Sequence, residues 1–132
     1  MLNNIGFFAV DEAAADKIIL DSQREGMRVF CLPEKISSKD EFFDGVRNTL
    51  PLDPPLHSNR SWEALADSLW SGLDGLEDEN IVIVWRDTKC METHASEDFS
   101  IAIDILNDLP GTLADPKLTV GMPKKLLVLH VV

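Results

Sequence analysis

Glu63 and Asp67 stand four residues apart in SWEALADSLW, residues 61–70, and Trp70 follows three residues later. On a helix those spacings put the three side chains on one side. Like charges at that interval repel by roughly 0.2–0.5 kcal/mol, and no Lys or Arg occurs from Ser61 to Trp85 to offset them. Paired carboxylates can hydrolyse a glycosidic bond, one acting as acid and the other as base or nucleophile. Nothing else marks a hydrolytic cleft: the chain has no HExxH, no GxSxG, no glycine-rich phosphate loop and no Cys/His cluster. The chemistry that remains is recognition, in which two acids are offered to a cationic partner. No enzyme and no cofactor are expected.

The charge distribution points the same way. The 132 residues carry a formal charge of −11, which excludes the basic footprint of a nucleic-acid binder. From Ser61 to Pro116 there are thirteen acids against Arg86 and Lys89, while the rest of the chain holds ten acids and ten bases. The whole net charge therefore falls in one continuous segment. Such a segment suits a basic partner, because complementary potentials steer encounter.

The elements that position these residues follow from pattern. IGFFAV (5–10) reads as a strand, and EAAADKIILDSQREG (12–26) as a helix closed by Gly26. MRVFCL (27–32) is a second strand. Ser37 or Ser38 caps a helix through about Leu50, with Phe42, Phe43, Val46 and Leu50 on one stripe. PLDPPLHSN (51–59), with its prolines, is a loop leading into the acidic helix. In that helix Ser61 is the N-cap, Trp62, Leu65 and Leu69 face a core, and Glu63, Ala66, Asp67 and Trp70 face outward. NIVIVW (80–85) suits a strand buried on both faces. SEDFSIAIDILNDL (96–109) is a helix with Phe99, Ile103 and Leu106 inward, and LLVLHVV is a closing strand. Strands alternating with helices predict an α/β fold with a small, mainly parallel sheet.

The longest apolar run is too short to span a bilayer, and MLNNIGFFAVDEA lacks the basic start of a secretory signal. Cys31 and Cys90 make neither a disulfide framework nor a metal motif. They read as free thiols of a cytoplasmic protein.

From VFCLPEKI onward the chain resembles the barstar family, intracellular inhibitors of barnase-type ribonucleases. The matching order is a strand and turn, the helix KDEFFDGVRNTL, a proline-rich loop, SWEALADSL in place of the family's most recognisable helix, and the strand IVIVWRD. The likeness covers about residues 27–132, with 1–26 a strand–helix extension of the same single domain. It implies a barstar-like fold in which an acidic helix and its preceding loop occlude a nuclease active site. Asp67 falls on the motif's second acid, the one that stands in for an RNA phosphate, and Glu63 on the first, where the family has Asp. Counted without gaps from Trp85–Arg86, Asp108 falls on a later-helix acid that also meets the enzyme; a one-turn shift would bring Asp104 there instead. The loop's usual aromatic and glycine are absent, and LHSN (56–59) stands in their place.

The nuclease-binding set implied is Asp67, Glu63, Trp70, Ala66, His57, Asn59 and Asp108. Trp70 either replaces the missing aromatic or packs against a neighbouring loop, while Trp62 and Trp85 belong to the core. The expected protein is monomeric when free, touches neither nucleic acid nor membrane, and inhibits a basic ribonuclease, with toxin immunity as one setting. The alternative is an acidic adaptor of the same fold with a basic, non-nuclease partner.

Overall fold

A computed structural model describes residues 5–132. Four strands, β1 (Gly6–Val10), β2 (Arg28–Cys31), β3 (Asn80–Trp85) and β4 (Lys125–Val131), form one sheet in the order β1-β4-β3-β2. Every pairing is parallel, so the sheet is wholly rather than mainly parallel. Parallel strands need long crossovers, and five helices supply them: α1 (Glu12–Arg24), α2 (Lys39–Thr49), α3 (Trp62–Asp74), α4 (Lys89–His94) and α5 (Ser96–Leu113).

Handedness distributes these helices. The chain crosses from one sheet edge to the other between β1 and β2, then steps back through β3 to β4. Right-handed crossovers in opposite directions lie on opposite faces. Accordingly α1 covers one face, where Ala15 packs with Val82, Val84, Leu127, Leu129 and Val131. The other face carries α2, α3 and α5 over Phe30, Ile81, Ile83, Trp85, Leu126 and Val128. The alternation along β3 sends odd residues to one core and even residues to the other. Ile81 to Trp85 are buried throughout, as the near-continuous apolar run requires.

Ser38 caps α2 by accepting from the Glu41 N–H at 3.1 Å, and Glu41 reaches back to the Ser37 N–H at 2.9 Å. The Ser37 hydroxyl donates to the same carboxylate, and together with the Ser37 N–H it holds Glu41 below its ordinary value.

Two elements differ from the sequence reading. The short α4 buries only Met91, so no apolar period announced it. The helix from Ser96 reads in sequence as 96–109, and Pro110 beyond it removes one helical N–H and crowds the preceding turn. It runs to Leu113 through Pro110 because Leu109, Pro110 and Leu113 are all buried, and that packing outweighs one missing bond.

Candidate functional site

The site grows from the two sides of α3. Ser61 caps it, accepting from the Ala64 N–H at 3.0 Å. Leu65, Ser68, Leu69, Gly72 and Leu73 are buried, which leaves Glu63 and Asp67 exposed on the outer side. Among the described residues neither carboxylate takes part in an ion pair or a side-chain hydrogen bond. Ala66, between them, is half-buried.

Trp62 and Trp70 hold this helix to its neighbours. Trp62 is half-buried rather than enclosed; it packs edge-on against Phe43, centroids 4.9 Å apart, with Lys39 above its ring at 5.7 Å. Trp70 is also half-buried, and its indole N–H donates to Thr112 Oγ1 of α5 at 3.0 Å. The aromatic expected on the outward face is therefore spent in part on joining two helices. This bond also fixes which side of α5 lies beside α3. Asp108 stands one turn before Thr112, whose hydroxyl also approaches the Asp108 carbonyl at 3.3 Å, and Asp104 stands one turn earlier. Both acids are exposed. The acids of α3 and α5 thus flank one seam.

The loop before α3 is tied at both ends. Near its start, the Asp53 N–H donates to the Ser68 carbonyl at 3.0 Å. Gly72 lets α3 approach that segment: a Cβ there would sit 2.2 Å from the Pro51 carbonyl oxygen. Towards its end, Arg47 of α2 donates to the Leu56 carbonyl at 2.6 Å and to Asn59 Oδ1 at 2.7 Å. The Asn59 amide donates onward to Asp40 at 3.1 Å. Asn59 is thereby half-buried and engaged, whereas His57 between these ties is exposed.

The far end of α3 is held by a residue that sequence reasoning missed. Lys124 is buried, 3 % exposed, and its ammonium donates to the carbonyls of Leu76 at 2.5 Å and Asp78 at 2.9 Å. A cation just past a helix C-terminus also suits the helix dipole. A pair of lysines ahead of an apolar strand gives no sign in sequence that one of them is buried. Arg47 was missed for the same reason, since its partners in the loop lie 9 and 12 residues away.

Chemically, the seam presents hydrogen-bond acceptors and negative charge, with no cation paired to Glu63, Asp67 or Asp108 among the described residues. It fits a cationic surface. A family model described as Barstar (barnase inhibitor) matches residues 27–121. No curated protein and no solved structure matches the chain.

Proposed function

Because the chain belongs to the barstar family, we propose that it is a protein inhibitor of a basic, barnase-type ribonuclease and not itself an enzyme. In this reading α3 and the loop before it enter the nuclease active site. Asp67 takes the place of an RNA phosphate, Glu63 supports it, and Asp108 of α5 meets the rim. Ala66 is small enough to let the two backbones approach, and His57 and Asn59 present the loop. The observation that carries this reading is the seam itself, where exposed Glu63, Asp67 and Asp108 have no cationic partner among the described residues. Against Arg, Lys and His of a phosphate-binding cleft, such carboxylates form short, charge-assisted hydrogen bonds. The partner is the nuclease and not RNA, and the inhibitor is monomeric until it binds. Its work lies in the cytoplasm, where it guards RNA against the cell's own or a delivered toxin nuclease.

One observation favours the adaptor reading, in which the basic partner is no nuclease. The loop carries LHSN where the family has an aromatic and a glycine. The two readings part on inhibition.

The test is to titrate the protein into barnase and other small basic ribonucleases while following RNA cleavage. Wild type should block at least one of them stoichiometrically. Asp67→Ala should leave the melting temperature unchanged or slightly raised, since it relieves the repulsion with Glu63. It should weaken inhibition at least about thirtyfold, the scale of a hot-spot truncation of about 2 kcal/mol. Asp67→Asn, which keeps the size but not the charge, should lose nearly as much. Full inhibition by Asp67→Ala would remove the phosphate-mimic role, and no inhibition by wild type would favour the adaptor.

A further inference from the structure

Arg47 is a cation placed beside a surface whose proposed partner is cationic, and its own contacts explain why it is tolerated there. Its guanidinium is used in three directions. Nε donates to the Leu56 carbonyl at 2.6 Å, one terminal nitrogen to Asn59 Oδ1 at 2.7 Å, and the other to Asp44 at 2.7 Å. Asp44 offsets the charge, and Asn59 passes the connection to Asp40. Two residues of the loop are thus clamped to one face of α2, where Asp40, Asp44 and Arg47 recur at helical spacing, with exposed His57 and Ser58 between them. The loop's other end is fixed by Asp53 to Ser68 and by the contact of Pro51 with Gly72.

We infer that Arg47 is a positioning residue of the inhibitory surface: it holds residues 56–59 in their binding shape before any partner arrives, without touching the partner itself. The inference rests on the inhibitor reading for its consequence, though not for the clamp. The physical reason is entropic. A loop that must be ordered on binding loses affinity at that moment, and one ordered beforehand does not. Leu56 packs its side chain against the main core, but LHSN has no proline after Pro55 to stiffen it, so beyond Leu56 the loop is held by the Arg47 guanidinium and by the Asn59 bond to Asp40. Lysine cannot substitute, because the three bonds leave three nitrogens of a planar fork in fixed directions, whereas an ammonium's donors all sit on one rotatable nitrogen.

The experiment compares wild type with Arg47→Lys, Arg47→Met, Asn59→Ala and, as a control, Asp67→Ala. Backbone hydrogen exchange of residues 56–60 is measured in the free proteins, and inhibition is measured against barnase or whichever basic ribonuclease wild type inhibits. Exchange in this loop should quicken about tenfold or more in both Arg47 variants, while the strands keep their protection. Inhibition should weaken about tenfold in both, with Arg47→Lys resembling Arg47→Met rather than wild type. Asn59→Ala, which spares α2, should show the same two changes more mildly, and adding it to Arg47→Met should cost little more. Asp67→Ala should lose inhibition with loop exchange unchanged.

Unchanged loop exchange in Arg47→Met would overturn the clamp. Quickened exchange with undiminished inhibition would overturn its role in binding, as would wild-type behaviour of Arg47→Lys. If wild type inhibits no ribonuclease, the inhibitor reading and the positioning role built on it fall, and the exchange arm still decides whether Arg47 holds the loop.

Discussion

Gly72 and His130 show how single positions carry demands that the acids do not. Gly72 is buried on the inner side of α3, and a methyl group there would lie 2.2 Å from the Pro51 oxygen and 2.5 Å from its carbonyl carbon. Both are backbone atoms, so the loop must move to admit it. Gly72→Ala is expected to cost about 1–3 kcal/mol by overpacking, read from urea unfolding, and to weaken inhibition because the displaced segment opens the loop. An unchanged midpoint would mean the loop yields freely. His130 lies on β4 between the rings of Phe7 and Phe99, centroids 5.7 and 5.9 Å away. Its Nε2 meets Thr88 Oγ1 at 3.3 Å, and its Nδ1 is buried without a hydrogen-bond partner among the described residues. Burial holds the imidazole below its ordinary value of 6.5, although the Glu92 carboxylate pulls the other way. The unfolded chain therefore binds a proton more readily than the folded one. Stability contributed by the neutral ring is complete above about pH 6.5 and is lost as pH falls from there through the lower folded value. Urea midpoints at pH 7.5 and 5.5 should drop for wild type and drop less for His130→Leu. Equal slopes would place the acid sensitivity elsewhere.

Between α3 and α5 the Trp70–Thr112 bond is the unit to test. Thr112→Val keeps the shape and removes the acceptor, stranding a half-buried indole N–H at a cost of about 1 kcal/mol. Trp70→Ala should cost more, about 1–3 kcal/mol, because the ring packs against the main core as well. Both variants should also lower inhibition by letting the Asp67 and Asp108 turns drift apart. A Trp70→Ala protein with an unchanged melting temperature and lost inhibition would instead mark Trp70 as a direct contact. This helix pair also shows what the sequence makes legible. The outward placement of Glu63 and Asp67 follows from Leu65, Leu69 and Leu73 recurring on the opposite side. The both-face burial of β3 follows from five consecutive apolar residues. Periodicity of that kind is local, and it survives folding. The Trp70–Thr112 bond spans 42 residues and the Lys124 clamp 48 and 46, so neither leaves a local trace. Nor does Arg47, whose solvent-facing position in a helix pattern hides a buried task. The acids were readable as a stripe, while the residues that hold the stripe still were not.

On the scale of the whole molecule, the matched residues 27–121 do not include β1, α1 or β4, yet the sheet needs all three. β1 pairs along β4 from Gly6 to Val10, and α1 supplies the cover for the second face of β3 and β4. Arg86, just past β3, pairs with Glu12 and Asp16 of α1. One of the two bases in the acidic segment is thereby turned away from the seam and towards the opposite face. The net charge of −11 falls in one stretch of the chain, with thirteen acids between Ser61 and Pro116 and a neutral remainder. That asymmetry should orient a basic partner before contact. At about 0.01 M salt the Debye length of about 30 Å spans the approach, whereas at 0.15 M it shrinks to about 8 Å. The association rate with an inhibited ribonuclease should therefore fall about tenfold or more over that range, from a steered value towards the unsteered regime of about 10⁵–10⁶ M⁻¹s⁻¹. Dissociation breaks desolvated contacts, which salt reaches poorly, so the off-rate should change much less. Stopped-flow mixing at four or five salt concentrations separates the two. Replacing Asp104, remote from the Trp70–Thr112 bond, with Asn should lower the on-rate modestly while leaving the off-rate alone, because a rim charge steers without being buried. An on-rate indifferent to salt would mean that the segregated charge serves something other than encounter.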